Sequence, residues 1–389
     1  MNSGNTVLTQ LVNYIPKYQF DKIVEKYKGN YKAQEFSCWE QFICMVFAQL
    51  TYRESLRDIE TCLQTFKSKL YHTGIRSIVA KSTLAYWNEK KDWRIYSEFA
   101  YHLIGISREL YVGDNEFISS LDGSAYAFDS TTIDLCLSLF PWAKSKRTKG
   151  AVKAHTLLDL QGNIPTWLFI SDGSVHDVNI LDNLPIEAGA YYVMDKGYLH
   201  WRRLYKFEIE QAYWITRAKD NFSYIRQYSN PVDKTLGLKY DQIGILKDKF
   251  SFKNYPTKIR RIKYLDKKTN IEYVFITNNL TLPAIDICKL YKYRWRIELF
   301  FKWIKQHLRI KVFFGTSKNA VYTQIWIAFS VYLLIAIIKK ETNSPFTLYT
   351  LLQKLSLCLF EKIQLNKVFT KNEVDRIIDN GYKQLNIFE

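Results

Sequence analysis

Three acidic side chains stand where their neighbours give them a chemical use. Asp129 closes the apolar run Ala125–Asp129 (AYAFD) and precedes Ser130-Thr131-Thr132, and Asp195 closes Tyr191–Asp195 (YYVMD) and precedes Lys196-Gly197-Tyr198. Both runs predict short strands that end in a carboxylate. Glu298 lies in Tyr291–Arg309 (YKYRWRIELFFKWIKQHLR), which has no Pro or Gly and predicts one helix of about five turns. At ~100° per residue, Tyr291, Arg294, Glu298, Lys302 and Lys305 share an arc roughly 80° wide. Leu290, Ile297, Phe300, Phe301, Ile304 and Leu308 cover the other, packing side. The ordinary reading of such a stripe is a solvated face with Arg294/Glu298 as an i,i+4 pair. Its excess positive charge and the flanking Trp295 and Trp303 suit phosphate contacts and base stacking instead. Carboxylates from two strand ends and a crossing helix are what metal-assisted phosphoryl transfer requires: hard oxygen ligands with room left for water and phosphate. Two Mg²⁺ ions ~3.5–4 Å apart would then activate a nucleophile and stabilise the leaving 3′ oxygen. Taken singly, Asp129 also reads as a turn or cap residue, with Asp122 and Asp134 as competitors, and Asp195 as an Asx turn.

The elements that must position these residues follow from periodicity. Residues 1 to about 110 read as all-helical, with helices at Phe36–Leu50, Leu56–Phe66 and Ser82–Tyr101 and with Ser55 and Ser82 as caps. Basic residues around the short helices allow a helix-turn-helix, the helix from Ser82 entering a major groove; a structural bundle with a solvated basic face is the alternative. From Phe117 the pattern becomes α/β. Gly150–Leu160 and Ile164–Ser171 form a hairpin around Gln161-Gly162-Asn163, Val178–Leu184 a short helix, and Tyr213–Ala218 a strand after a helix from about His200. That order predicts a ribonuclease-H-like core. Residues 220–280 read as a β-rich insertion. The apolar run Ile325–Ile338, about 14 residues, is too short to span a bilayer and reads as a buried core helix; the helix Thr323–Ile338 that contains it is expected to pack beneath the sheet. The domain division expected is 1–112 (helical, DNA-binding), 113–340 (catalytic) and 341–389 (helical tail).

Composition narrows the partners. Lys and Arg number 55 against 38 Asp and Glu, a net +17, with 16% aromatic residues. This balance favours a polyanion, and the interleaved Tyr and Trp suit nucleic acid better than lipid; an AT-rich coding sequence would also enrich Lys, Tyr, Ile and Asn. Lys144, Lys146, Arg147, Lys149 and Lys153 make a basic arm near Asp129, either a DNA-backbone contact or a solvated loop. The six cysteines show no metal-ligand spacing and predict reduced thiols. His155 and His307 lack metal-ligand partners and read as structural. No signal-peptide pattern opens the chain, and a cytoplasmic protein without a membrane span is expected.

The spacing Tyr291-x2-Arg294-x3-Glu298-x6-Lys305 resembles the YREK motif of IS4-family DDE transposases. Asp129-Ser130-Thr131 is similar to that family's first catalytic Asp motif and Asp195-Lys196-Gly197-Tyr198 to its second, where Lys196 replaces the usual Arg and loses bidentate phosphate geometry. The resemblance covers most of the chain. It implies that Asp129, Asp195 and Glu298 are catalytic and bind Mg²⁺, with Mn²⁺ able to substitute. It implies that Tyr291, Arg294, Lys305 and Lys302 contact DNA phosphates, with Arg294 also orienting Glu298. Trp295 would stack on an unpaired base if ends pass through a hairpin, or else pack at the helix edge. The implied function is cut-and-paste transposition by a bacterial, nucleoid-associated enzyme: terminal inverted repeats bound, strands cleaved, and the freed 3′-OH joined to target DNA by a homodimer on two paired ends. The alternatives are a DNA-binding derivative without catalysis and a simple ribonuclease-H-like nuclease.

Overall fold

The computed structural model describes residues 4–33, 36–76, 79–146 and 149–370. They fall into two compact units, one within Met1–Leu110 plus Trp303–Glu389 and the other Tyr111–Lys302.

The first unit begins with helices α1 (Val7–Val12), α2 (Lys17–Lys26), α3 (Cys38–Leu50), α4 (Leu56–Thr65), α5 (Lys81–Lys90) and α6 (Arg94–Leu110). Every residue of α3 is buried, and a capping box starts it: Glu40 N–H donates to Ser37 Oγ (3.1 Å) and Ser37 N–H to Glu40 Oε2 (2.8 Å). Ser55 caps α4 as expected. Ser82 does not cap α5. It sits exposed in the first turn, and Glu60 of α4 takes the Lys81 N–H at 3.1 Å instead. The expected single helix Ser82–Tyr101 is two, because Lys91 turns extended and inward, is 2% exposed, and donates to the Phe36 carbonyl at 3.0 Å. Residues 66–80 join α4 to α5, far longer than the three or four residues of a helix-turn-helix.

The second unit carries the sheet. Its elements are α7 (Glu116–Ser119), β1 (Ala125–Leu135), β2 (Lys144–Lys146), β3 (Lys149–Asp159), β4 (Ile164–Asp172), β5 (Tyr191–Met194), α8 (Trp201–Ile209), β6 (Tyr213–Arg217), β7 (Tyr224–Asn230), β8 (Leu238–Leu246), α9 (Lys249–Asn254), β9 (Ile259–Asp266), β10 (Ile271–Thr277), α10 (Ala284–Tyr293) and α11 (Trp295–His307), which crosses into the first unit at Trp303. The strand order is β2-β3-β1-β5-β6-β10-β9-β8-β7, with β4 also on β3. Within it β3 runs antiparallel to both β1 and β4, whereas β5 and β6 run parallel to β1. This is a ribonuclease-H-like α/β core. Strands β7 to β10 extend the same sheet, β10 pairing antiparallel with β6. The Val178–Leu184 helix is a 3-10 segment, Asp177–Asp182. A core of Phe128, Tyr192, Phe207, Trp214 and Tyr255 fixes α8 against the parallel strands, each large side chain contributing about 1.5–3 kcal/mol by burial.

Two expectations for the positioning elements are corrected. Strand β1 does not stop at Asp129; β-branched Thr131, Thr132 and Ile133 continue it to Leu135 along β3. What stops beside Asp129 is the parallel neighbour, since β1 pairs with β5 only through Phe128↔Met194. The five-turn helix is interrupted at Arg294, where Arg294 N–H bonds Tyr291 O and Ile297 N–H bonds Arg294 O, both at 3.1 Å. These i→i+3 bonds tighten the turn and split α10 from α11.

Returning to the first unit, α12 (Lys318–Glu341), α13 (Leu348–Cys358) and α14 (Leu365–Phe369) complete the described chain. Helix α12 has 24 residues and extends past the expected Thr323–Ile338 at both ends; it is long and apolar enough by composition to cross a membrane, yet Ala320–Ile338 are all buried. Within its own unit it packs against α3, α5, α6 and α13. Its polar residues are satisfied internally: Gln324 donates to the Arg309 and Val312 carbonyls (2.5 and 2.8 Å) and accepts from Phe314 N–H (2.9 Å). All six cysteines are free thiols.

Candidate active site

A cleft of ≈ 470 Å³ opens where the parallel strands end, and Asp129, Asp195 and Glu298 all line it. Asp129 comes from β1 at the first residue past the parallel pairing. Its Oδ1 accepts the Ser130 N–H (2.8 Å) and the Tyr198 hydroxyl (3.4 Å). Asp195 follows β5 and caps the 3-10 turn Lys196–Tyr198, Oδ1 accepting Gly197 N–H at 3.0 Å. The Asx-turn reading of Asp195 holds, and its side chain still lines the cleft. Glu298 reaches the cleft from the first turn of α11.

Cations hold the carboxylates apart. Arg294 Nη2 donates to Glu298 Oε1 at 2.6 Å while Nη1 lies 3.6 Å from Asp129 Oδ2. Arg217, the last residue of β6, donates to Asp195 Oδ2 at 2.9 Å. The Arg294 side chain is only 12% exposed. Tyr291 is buried, its ring 4.8 Å from Phe275, with the Arg217 and Arg294 guanidiniums 5.9 and 5.8 Å from its centroid. Arg217 draws on the Tyr291 hydroxyl, but no hydrogen bond of proper geometry forms there among the described residues. The face expected to lie away from the packing side is therefore largely buried at its upper end, at Tyr291 and Arg294.

Arg217, His176 and Asp177 line or border the site and escaped the sequence reading. Only Arg217 left a signal, a charge at the end of the run YWITR, level with the two aspartates on the sheet edge. Lys153 is not free for DNA: it is 15% exposed and donates to Val175 O (2.8 Å) with Asp177 Oδ1 at 3.2 Å, pinning the loop before the 3-10 segment. Lys144 and Lys149 are exposed. Lys146 lies in β2 with its side chain outside the described residues, as is the whole of Arg147. Trp295 is 57% exposed and Lys302 is exposed, both on α11. Lys305 is further along α11, in the segment belonging to the other unit. His155 is buried against Ser171 (2.8 Å), and burial pushes its pKa down to about 4, so it is neutral. His307 stacks on Tyr349 at 4.1 Å.

Burial pushes the Asp129 carboxyl up to about 6; Ser130 N–H and Arg294 oppose this, and Glu298 and Asp195 add to it. Asp195 goes the other way: burial would raise it, but the Gly197 N–H and Arg217 hold it below the usual range. Two neighbouring carboxylates are thereby pushed apart in acidity, as at sites that do chemistry. Because Asp129 is raised, the folded state binds more protons than the unfolded between about pH 4 and 6, and stability falls as pH rises through that window. Asp129→Asn is expected to raise the melting temperature of metal-free protein at pH 7.5 and to leave it unchanged below about pH 4. Equal shifts at both pH values in thermal unfolding would contradict this.

As a donor set, three carboxylates suit a hard divalent cation. Among the described residues, however, no three acidic, His or Cys side chains are gathered closely enough to hold one ion. The reason is Arg294, which occupies Glu298 and approaches Asp129. The chemistry fits; ligation requires Glu298 to exchange its partner.

Residues 120–334 match the family described as Transposase DDE domain, more than half of the chain. The chain belongs to that family. Residues 3–76 match a domain of unknown function. Protein y4zB of Sinorhizobium fredii, which carries a transposase name, is 34% identical over 239 residues, 60% of this chain and 66% of the relative. A protein named as a probable transposase for insertion sequence element IS5377 of Geobacillus stearothermophilus is 29% identical over 55% of this chain and 58% of its own length. One named for element IS4SA of Synechocystis is 23% identical over 88% and 95%. The matched stretch thus spans under two thirds of the first two relatives. The cryo-EM structure of a piggyBac transposase synaptic complex with hairpin DNA overlaps at a TM-score of 0.40 and 10% identity, covering 95% of this chain and 81% of that one.

Proposed function

We propose that this chain is an insertion-sequence transposase of the IS4 type, with Asp129, Asp195 and Glu298 as its catalytic acids and Tyr291, Arg294, Glu298 and Lys305 as its YREK motif. The observation that carries the reading is the meeting of all three acids in one cleft at the end of the parallel strands. Residues from β1, the turn after β5 and α11 have no common structural reason to do so.

In this reading Asp129, Asp195 and Glu298 would hold Mg²⁺ or Mn²⁺, which would supply charge neutralisation at the phosphate and make the attacking water more acidic. The chain's own groups do the positioning. Arg294, when it releases Glu298, is aimed at a phosphate in the cleft, and Arg217 keeps Asp195 oriented and ionised. Lys302, Lys305, Lys149, Lys146 and Arg147 would track the DNA backbone, and exposed Trp295 would stack on an unpaired base. Hydrolysis breaks the bond from phosphorus to the 3′ oxygen, water giving its oxygen to the phosphate and a proton to the new 3′-OH. That hydroxyl then attacks a target phosphate. Residues 1–112 would bind the terminal inverted repeats, 113–340 would form the catalytic domain with 220–280 as its insertion, and 341–389 a helical tail. Pairing two ends calls for a homodimer, acting in the bacterial cytoplasm on the nucleoid.

The competing reading is a sequence-specific DNA-binding protein that no longer cuts. Asp195→Ala separates them on a duplex carrying the element's end. Retained binding with lost cleavage supports the transposase; a wild type that binds and never cleaves supports the binder.

A further inference from the structure

Between Tyr224 and Asn270 the chain has twelve Lys and Arg against four Asp and no Glu, so eight of the net +17 charges fall in forty-seven residues. Two adjacent arginines of β9 show how this charge is managed. Arg260 points to the buried side and is neutralised by Asp241, both side chains 4% exposed. Arg261 points to the opposite face, where its guanidinium lies 4.8 Å from the Tyr224 ring and 4.9 Å from the Tyr240 ring. Its Nη2 donates to Gln242 Oε1 at 2.7 Å, its Nε has no hydrogen-bond partner, and no carboxylate pairs with it among the described residues. The sandwich is built in: a Cβ on Gly244 would meet Ile225 O at 2.0 Å and Tyr224 Cζ at 2.9 Å, so glycine there lets β7 and the Tyr224 ring lie against β8. Exposed Arg226, opposite Gly244 in register, adds a second cation for which no salt bridge is found among the described residues.

A guanidinium fixed between two rings has already lost most of its rotamer freedom, so its next hydrogen bonds cost little entropy. Left without a carboxylate in a patch this basic, it fits an anion presented repeatedly along a line, which is a phosphate backbone.

We propose that the outer face of β7–β9, centred on Arg261 between Tyr224 and Tyr240, binds the backbone of duplex DNA. The inference rests on the transposase reading for its choice of DNA, and it gives strands β7–β9 a share of that DNA separate from the cleft. Lys263, next on this face, is engaged by Glu272 at 2.7 Å and contributes less.

The test uses the full chain with fluorescence anisotropy on a duplex carrying the element's end, over a salt series, for wild type, Arg261→Gln, Arg261→Lys and Arg226→Gln. Arg261→Gln is expected to weaken duplex binding about 5- to 10-fold and to reduce the slope of log affinity against log salt by about one, as for one lost phosphate contact. Arg226→Gln, on an exposed side chain, is expected to lose about 2- to 5-fold with its fold intact, and Arg261→Lys to fall between the wild type and the Gln variant. Unchanged affinity and slope in both Gln variants would overturn the proposal, as would a loss seen on single strands alone. Mg²⁺-dependent cleavage by wild type on the same duplex reports the transposase reading separately: cleavage with unaltered salt slopes removes only this surface, whereas altered slopes without any cleavage remove only that reading.

Discussion

Glu298→Gln is expected to abolish strand cleavage while leaving DNA binding within about two-fold of wild type. The substitution keeps the shape and the place of the side chain in the first turn of α11 and removes only its charge. If Glu298 is a cation ligand and the partner that Arg294 must release, the loss should be roughly 10³-fold or more, about 4 kcal/mol of barrier. The fold should not suffer, since Glu298 is a third exposed and Arg294 retains Asp129. Single-turnover cleavage alongside thermal unfolding checks both halves. A loss below about ten-fold would place Glu298 in a structural ion pair and not in the chemistry.

The largest stability effect is expected far from the cleft, at Asp241→Ala. Asp241 and Arg260 form a two-pronged pair, Nε to Oδ1 at 2.8 Å and Nη2 to Oδ2 at 2.7 Å, with Arg260 also donating to the Leu282 carbonyl at 2.5 Å. Asn230 Nδ2 donates to the same aspartate at 3.1 Å, so the pair ties β7, β8 and β9 to the turn before α10. Removing the carboxylate leaves a guanidinium buried without its counter-charge, at a cost of about 3–5 kcal/mol. Denaturant unfolding should show that loss, and the double variant Asp241→Leu/Arg260→Met should recover most of it. A loss under about 1 kcal/mol would mean that water reaches the pair.

These two sites differ in how far the sequence announces them. Asp129, Asp195 and Glu298 stand out because each ends or follows an apolar run of a definite period, and period is a local property. The core strands and the helices α3 and α4 were legible for the same reason. Glu60 capping α5 in place of Ser82 was not, because the cap comes from another helix. Nor was the break at Arg294: nothing in YKYRWRIEL lowers helix propensity, and the turn tightens because Tyr291 and Arg294 have partners on the sheet and at its acids. Arg217 and Asp177 reach the cleft through strand order and a loop pinned by Lys153, both set by tertiary pairing. The ends of α12 were missed because polar Lys318, Asn319 and Lys339–Glu341 flank the apolar run, while Gln324 within it is buried with its hydrogen bonds met by the Arg309–Phe314 turn.

The central claim is that the three acids cut DNA at the end of the element that carries this gene. The most direct test incubates wild-type protein with a duplex spanning that end, with Mg²⁺ or with EDTA, and maps the termini produced. A free 3′-OH at the element boundary, formed with Mg²⁺ and absent with EDTA, is the result the account requires. Tight, end-specific binding without any metal-dependent break would contradict it and leave a DNA-binding protein built on a transposase fold.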